Sequence, residues 1–190
     1  LKAKDGIVPL GEFTIQITMF NGIRQRLGYR ALRRYKDTVR RGAMLRPLAD
    51  VERIGLLVPS ADSSTSEGLL LFAQGLERMG KQVEVCAYVP KQELPGHLIL
   101  RRGLTVLQPS DLDWLYRPKS ENGKAFCSLK LDYLLDFTLL SELPLEWVLR
   151  FSPAAIRIGF TENPAHDVTF AVRGQVDYKR QLKLLEEYLQ

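Results

Sequence analysis

The 190-residue chain holds only two cysteines, two histidines and two tryptophans. Two cysteines cannot build a disulfide scaffold, so a packed apolar core has to carry the fold. No apolar run approaches the roughly 20 residues that a bilayer-spanning helix needs. Internal repeats and low-complexity stretches are absent, and 45% apolar with 26% charged residues is the composition of an ordinary soluble domain. Disorder and collagen-like repeats are thereby excluded. Several signatures of chemistry are missing too. Neither G-x-G-x-x-G nor the P-loop occurs, so no glycine-rich loop is marked to cradle a phosphate. No G-x-S-x-G elbow marks a nucleophilic serine. His97 and His166 are far apart, and no close His/Cys/carboxylate set has metal-ligand spacing, so neither a metal nor a cofactor is expected. Cys86 and Cys127 read as reduced, buried and inert.

What is present is an uneven charge. The net +5 is mild, but Phe20–Arg46 carries nine basic side chains against Asp37 alone, a net +8. Residues 1–19 balance, and residues 47–190 hold 16 basic and 19 acidic side chains, a net −3. A slightly acidic body thus carries one basic arm, the pattern of a segment that meets an anionic partner.

Three regions follow. Residues 1–18 contain Gly6, Pro9, Gly11 and an alternating stretch from Phe13 to Thr18, which reads as a short strand or extended arm. The first Met is Met19, so this region reads as a non-native leader or the product of an upstream start. It makes a poor signal peptide, lacking a charged leader and a small-residue cleavage site, and a cytoplasmic location is expected. Residues 19–46 are the basic region. Within it Phe20, Ile23, Leu27, Ala31, Tyr35 and Val39 recur every three or four residues, which predicts a helix over Phe20–Arg41 with most of its arginines opposite. Residues 50–190 alternate strands and helices. Strands are expected at Ile54–Val58, Val83–Val89, Leu104–Leu107, Leu131–Phe137, Ile156–Phe160 and Val168–Val172. Helices are expected from a Ser64/Glu67 capping box to Gly80, at Pro144–Phe151, and at Val176–Leu189. Pro109–Asn122 reads as irregular, with Trp114 and Tyr116 among polar residues. The β-α-β order predicts an α/β fold: a single Rossmann-like three-layer domain with a mostly parallel sheet, preceded by a basic amphipathic helix.

Two blocks carry a resemblance. The strand, polar loop, helix and strand of Ile54–Val89, and LDYLLDF with RIGF in Leu131–Phe160, resemble the amino-terminal Rossmann-like domain of heptosyltransferase-type glycosyltransferases. Residues 19–190 as a whole resemble a family of small uncharacterised Bacteroidota proteins. These begin with a basic helix and bring no established activity. The glycosyltransferase resemblance implies an acidic residue after the first strand as general base on the acceptor hydroxyl. Asp62 is the nearest match, although the family's Gly-Asp pair is Ala61-Asp62 here. It also implies sugar-nucleotide binding mainly by a second Rossmann domain, for which these 190 residues leave no room.

Candidate residues follow from these patterns. Asp132 and Asp136 share a face of a predicted strand, since side chains alternate with period two. As a carboxylate pair they would suit acid–base work. The plainer reading makes Asp136 a cap for the next loop. Asp62 and Asp136 are thus the catalytic candidates. Ser63, Ser64 and Thr65 start a helix after a strand, a place where ligands bind in open α/β sheets, and where ordinary capping is the alternative. Arg24, Arg26, Arg30, Arg33, Arg34, Lys36, Arg40 and Arg41 are the anion-binding candidates, because a guanidinium offers phosphate a forked pair of donors. Tyr29 and Tyr35 would add stacking on exposed bases. The expected function is a non-catalytic binding protein whose Phe20–Arg41 helix grips RNA, as in a ribonucleoprotein. A reduced glycosyltransferase-like or nucleotide-binding enzyme, a protein-docking helix, and attachment to an anionic membrane surface stand as alternatives.

Overall fold

The computed structural model describes residues 10–37, 44–59, 63–90, 102–170 and 177–189. Helix α1 (Leu10–Arg34) leads, and a 3-10 turn at Leu48–Asp50 brings the chain to β1 (Arg53–Val58). Then come α2 (Ser63–Arg78), β2 (Gln82–Tyr88), β3 (Leu104–Leu107), α3 (Glu121–Cys127) and β4 (Tyr133–Asp136). Helix α4 (Leu143–Phe151), β5 (Ile156–Gly159), β6 (Val168–Thr169) and α5 (Tyr178–Tyr188) complete it. The six strands form one sheet in the order β3-β2-β1-β4-β5-β6, and every neighbouring pair is parallel. The fold is the expected Rossmann-like three-layer α/β domain. The order reverses between β1 and β4, whose carboxyl ends flank the crevice where such sheets bind ligands.

Both faces of a parallel sheet are covered, so its strands read as continuous apolar runs. On one face Ile54, Leu56, Val58, Val85, Leu135 and Ile158 meet α2 and α5. On the other Leu57, Cys86, Leu107 and Leu134 meet α3 and α4. Fully burying each such side chain stabilises the fold by about 1.5–3 kcal/mol. Aromatic rings extend the first face: Phe137 stacks on Phe160 at 5.3 Å, and Phe170 stacks on Tyr188 at 5.2 Å. Helix α1 adds a layer outside α4, joined through Leu32, Leu143 and Trp147.

Several expectations need correction. Residues 10–18 are helical, not a strand or extended arm. Leu10, Phe13, Ile17 and Phe20 are spaced by three and four, so the stretch satisfies the helical period as well as the alternating one. The helix ends at Arg34 rather than Arg41, where Tyr35 and Asp37 tie the chain to the body. Met79, whose helical spacing from Leu69, Leu70, Phe72, Ala73 and Leu76 predicts a place on the apolar face of α2, is 61% exposed, because α2 ends at Arg78 and the chain turns at Gly80, φ +81°. Helix α3 begins inside the stretch read as irregular. Ser120 caps it, its hydroxyl accepting from the Gly123 N–H.

Gly159 closes β5 directly beneath the His166 ring. A β-carbon there would lie 1.9–2.3 Å from three ring atoms. The ring is held on both sides, by Asp136 and by the Thr161 carbonyl, so it has nowhere to move. Gly159→Ala should therefore lower unfolding free energy by about 2–3 kcal/mol, read from urea denaturation. An unchanged midpoint would show that the ring yields freely.

Candidate functional site

Helix α1 docks through one stripe. Arg24, Gly28, Leu32 and Tyr35 recur at four and three residues and turn inward together. Gly28 passes so close to α4 that a β-carbon would come within 2.4 Å of Leu143 Cδ2. Leu32 is buried against Leu143 and Trp147. The Tyr35 ring meets Trp147 and Phe151 edge-on at 5.9 and 5.3 Å. The Tyr29 hydroxyl donates to the Ser141 carbonyl at 3.1 Å. Beyond the helix, Asp37 pairs with Arg157 at 2.9 Å. This stripe differs from the predicted one: Ile23 and Leu27 are 51% and 41% exposed. The reason lies across the interface, where the wall offers carbonyls and aromatic rings that suit a guanidinium and a glycine better than branched aliphatics.

Arg24 shows this directly. Its Nε donates to the Trp114 carbonyl at 3.0 Å and its Nη2 to the Asp113 carbonyl at 2.8 Å. Its guanidinium lies over the Tyr116 ring, 4.1 Å from the centroid. Arg24 therefore serves the docked face, not the outer one. Tyr35 is likewise packed into the interface instead of free to stack on bases. Arg26, Arg30, Arg33, Arg34 and Lys36 are exposed. Arg26, Arg30, Arg33 and Arg34, with Tyr29, line an open concavity on the outer side of α1. Arg40 and Arg41 fall outside the described residues.

A second concavity opens on the other flank of α1, at the carboxyl edge of the sheet. Tyr88, Tyr116, Gln25, Ser141 and Glu142 are among its walls, with Arg24. Burial above all, then the proximity of Tyr116 and Glu142, pushes the Tyr88 hydroxyl above its ordinary value. The loop that carries Trp114 and Tyr116 is tightly knit. Asp113 Oδ1 accepts from the Leu115 and Arg117 N–H groups at 2.8 and 2.9 Å, and Oδ2 accepts from Arg117 Nε at 2.7 Å. It holds Tyr116 at φ +65°, a left-handed conformation that costs a non-glycine residue about 1–3 kcal/mol. Trp114, half exposed, stands beside it. The sequence signal was an aromatic pair in a polar stretch; its use by Arg24, 90 residues away, had none.

At the switch point, Asp136 ends β4 as expected of a loop cap. Its Oδ1 accepts from the Thr138 N–H at 2.9 Å and from the Thr138 hydroxyl. Its Oδ2 meets His166 Nε2 at 2.9 Å, and His166 Nδ1 meets the Thr161 carbonyl at 3.1 Å. A carbonyl only accepts, so Nδ1 carries its hydrogen, and the contact with Asp136 is a hydrogen bond when a second proton lies between Nε2 and Oδ2. Asp136 is 2% exposed, so this pair is shut from solvent. No local pattern announced it, since its members are 30 residues apart. Asp132 lies at the opposite end of β4, where it accepts from the Glu52 and Arg53 N–H groups at 2.9 Å each and pairs with Arg46 at 3.0 Å. The two carboxylates are not brought together. Ser63, Ser64 and Thr65 open α2, as predicted for the helix start, and Asp62 falls outside the described residues. Cys86 and Cys127 are buried thiols, and burial pushes Cys127 up to about 12. Among the described residues no three His, Cys, Asp or Glu side chains converge as a metal site requires.

Residues 24–190 match the model of a family of unknown function, DUF6913. The match begins at Arg24 and so takes in the docked stripe and the outer arginines with the body. No curated protein matches the chain.

Asp113 and Asp132 set an acid limit on this framework. Burial pulls each carboxyl upward, but the hydrogen bonds outweigh it and hold both below the ordinary carboxylate value. Their contribution is fully present above the unfolded value near pH 4 and is lost as pH falls through the lower folded values. Urea midpoints should therefore drop as the pH is taken below about 4. The Asp113→Asn/Asp132→Asn double variant should be less stable at neutral pH and show a shallower drop; an identical acid slope would count against this assignment.

Proposed function

The chain belongs to DUF6913, a family of unknown function, and we propose that it is a non-catalytic RNA-binding protein that grips phosphates with the outer face of α1. The observation that carries the reading is the concavity of Arg26, Tyr29, Arg30, Arg33 and Arg34 on a helix that the body holds by its opposite side. A guanidinium row on a docked helix meets a polyanion without first losing the freedom of a loose arm. The domain serves as the platform, in keeping with a cytoplasmic ribonucleoprotein setting. A membrane surface is less well served. The apolar side of a lipid-bound helix must face the acyl chains, whereas Leu32 and Tyr35 are spent on α4. Of the outward side chains described on α1, only Ile23 and Leu27 are large and apolar. Among the described residues no helix is long and apolar enough to cross a membrane.

A nucleotide- or sugar-handling enzyme is the second reading, on the resemblance of Leu131–Phe160 to glycosyltransferases and on the β1/β4 crevice. It gains little from Asp136, whose carboxylate is engaged by Thr138 and His166. Calorimetry with nucleotides and nucleotide sugars tests it, and saturable binding would favour it. The Bacteroidota resemblance carries no activity for either reading.

The RNA reading is checked with a labelled generic RNA titrated at several salt concentrations. Four phosphate contacts predict a slope of about −3 in log K against log salt for a single strand. Replacing Arg26, Arg30, Arg33 and Arg34 by Gln should remove most of the affinity and flatten the slope. A flat dependence in the unaltered protein would sink the proposal.

A further inference from the structure

Both concavities beside α1 touch Tyr29 or its partner: the ring lines the arginine groove, and its hydroxyl is bonded to Ser141 in the wall of the second. That concavity is unlike the first. Glu142 stands in its wall together with Arg24, so the wall is not a purely cationic one, and a carboxylate accepts readily from the amino and imino hydrogens of a base. Gln25 adds an exposed amide that both donates and accepts. Tyr88 and Tyr116 supply ring surface, and the half-exposed Trp114 ring lies 5.8 Å from the Arg24 guanidinium of the same wall. Tyr116 is kept in a costly left-handed conformation by the Asp113 cage, which fixes its ring beside the Arg24 guanidinium. Aromatic faces beside a cationic groove are the arrangement that holds unpaired nucleotides, since every base has a face to stack. A duplex keeps its bases inside and has no use for such rings.

We propose that the RNA is single-stranded, its phosphates on Arg26, Arg30, Arg33 and Arg34 and an unpaired base stacked on Trp114, beside the concavity walled by Tyr116 and Glu142. The inference rests on the RNA reading and adds the form of the ligand.

The test uses the full chain with a ten-nucleotide single strand and a blunt duplex of the same sequence, at matched salt. The single strand should bind at least about tenfold tighter than the duplex, the size expected when a stacked base contributes. Binding should also quench tryptophan fluorescence in the unaltered protein, because Trp114 is half exposed while Trp147 is 2% exposed. Trp114→Ala should weaken the single strand by roughly tenfold and leave the salt slope unchanged, and Trp114→Phe should keep most of the affinity. The quench needs no variant to fold. Equal affinity for duplex and single strand, or no quench with no loss in Trp114→Ala, would overturn the single-strand proposal while arginine-dependent, salt-dependent binding left the RNA reading standing. Binding only to vesicles of anionic lipid, with no RNA bound, would overturn both.

Discussion

One buried guanidinium holds the layers to one another. Arg157 lies on β5 with a side chain 5% exposed, and an unpaired charge at that depth is far too costly to keep. Its partners come from separate parts of the chain. Asp37 arrives from beyond α1 at 2.9 Å, Asp167 from just before β6 at 3.3 Å, and the Leu149 carbonyl from α4 at 3.3 Å. The Arg157 N–H also donates to Asp167 at 2.8 Å. Because each partner is fixed to a different element, satisfying this one cation sets where α1, α4 and β6 sit around the sheet. Removing one partner of such a group is more disruptive than never having built it, since the remaining charge is stranded. The placement also settles the use of charge in the basic segment. Asp37, its one acid, is turned inward onto Arg157, so it does not neutralise the arginines of the outer face.

A second polar pair stands beside it. Leu134 is opposite Arg157 in the sheet register, and Asp136 is opposite Gly159. The His166 ring lies over that glycine and reaches Asp136. Asp136, Arg157 and Gly159, letters of LDYLLDF and RIGF, thus serve packing at the seam between β4, β5 and the segment leading to β6. Fold and chemistry separate here. The same crevice that hosts ligands in many open α/β sheets has its β4 side closed by internal hydrogen bonds.

Much of the body was legible because parallel strands announce themselves as short apolar runs, and β3 matches its expected bounds of Leu104–Leu107. Helix α1 was harder. Charge counting locates it, but periodicity finds only part of the docked stripe: Ala31 and Tyr35 pack inward while Ile23 and Leu27 do not, and Arg24 and Gly28 carry no apolar signal yet face inward. What selects them is the shape and chemistry of α4 and the Asp113 loop, some 90 residues on in the case of Arg24. For the same reason composition could not tell Arg24 from Arg26, two residues apart with opposite roles. Short α3 was missed because seven residues hold too little pattern to outweigh neighbouring turn formers. The Asp136–His166 pair was invisible because nothing local requires a histidine to find an aspartate across two strands.

The layering of α1 also has a consequence for the order in which the molecule assembles. Tyr29 docks against Ser141, 112 residues later, and the Trp147 and Arg157 partners emerge later still. During synthesis the arginine-bearing helix is thus made well before the surface that receives it, and contacts this distant in sequence close slowly. Until the sheet is built, the inward stripe of that helix has no surface to pack on. The helix is thus made early and docked late, an order written into chain topology.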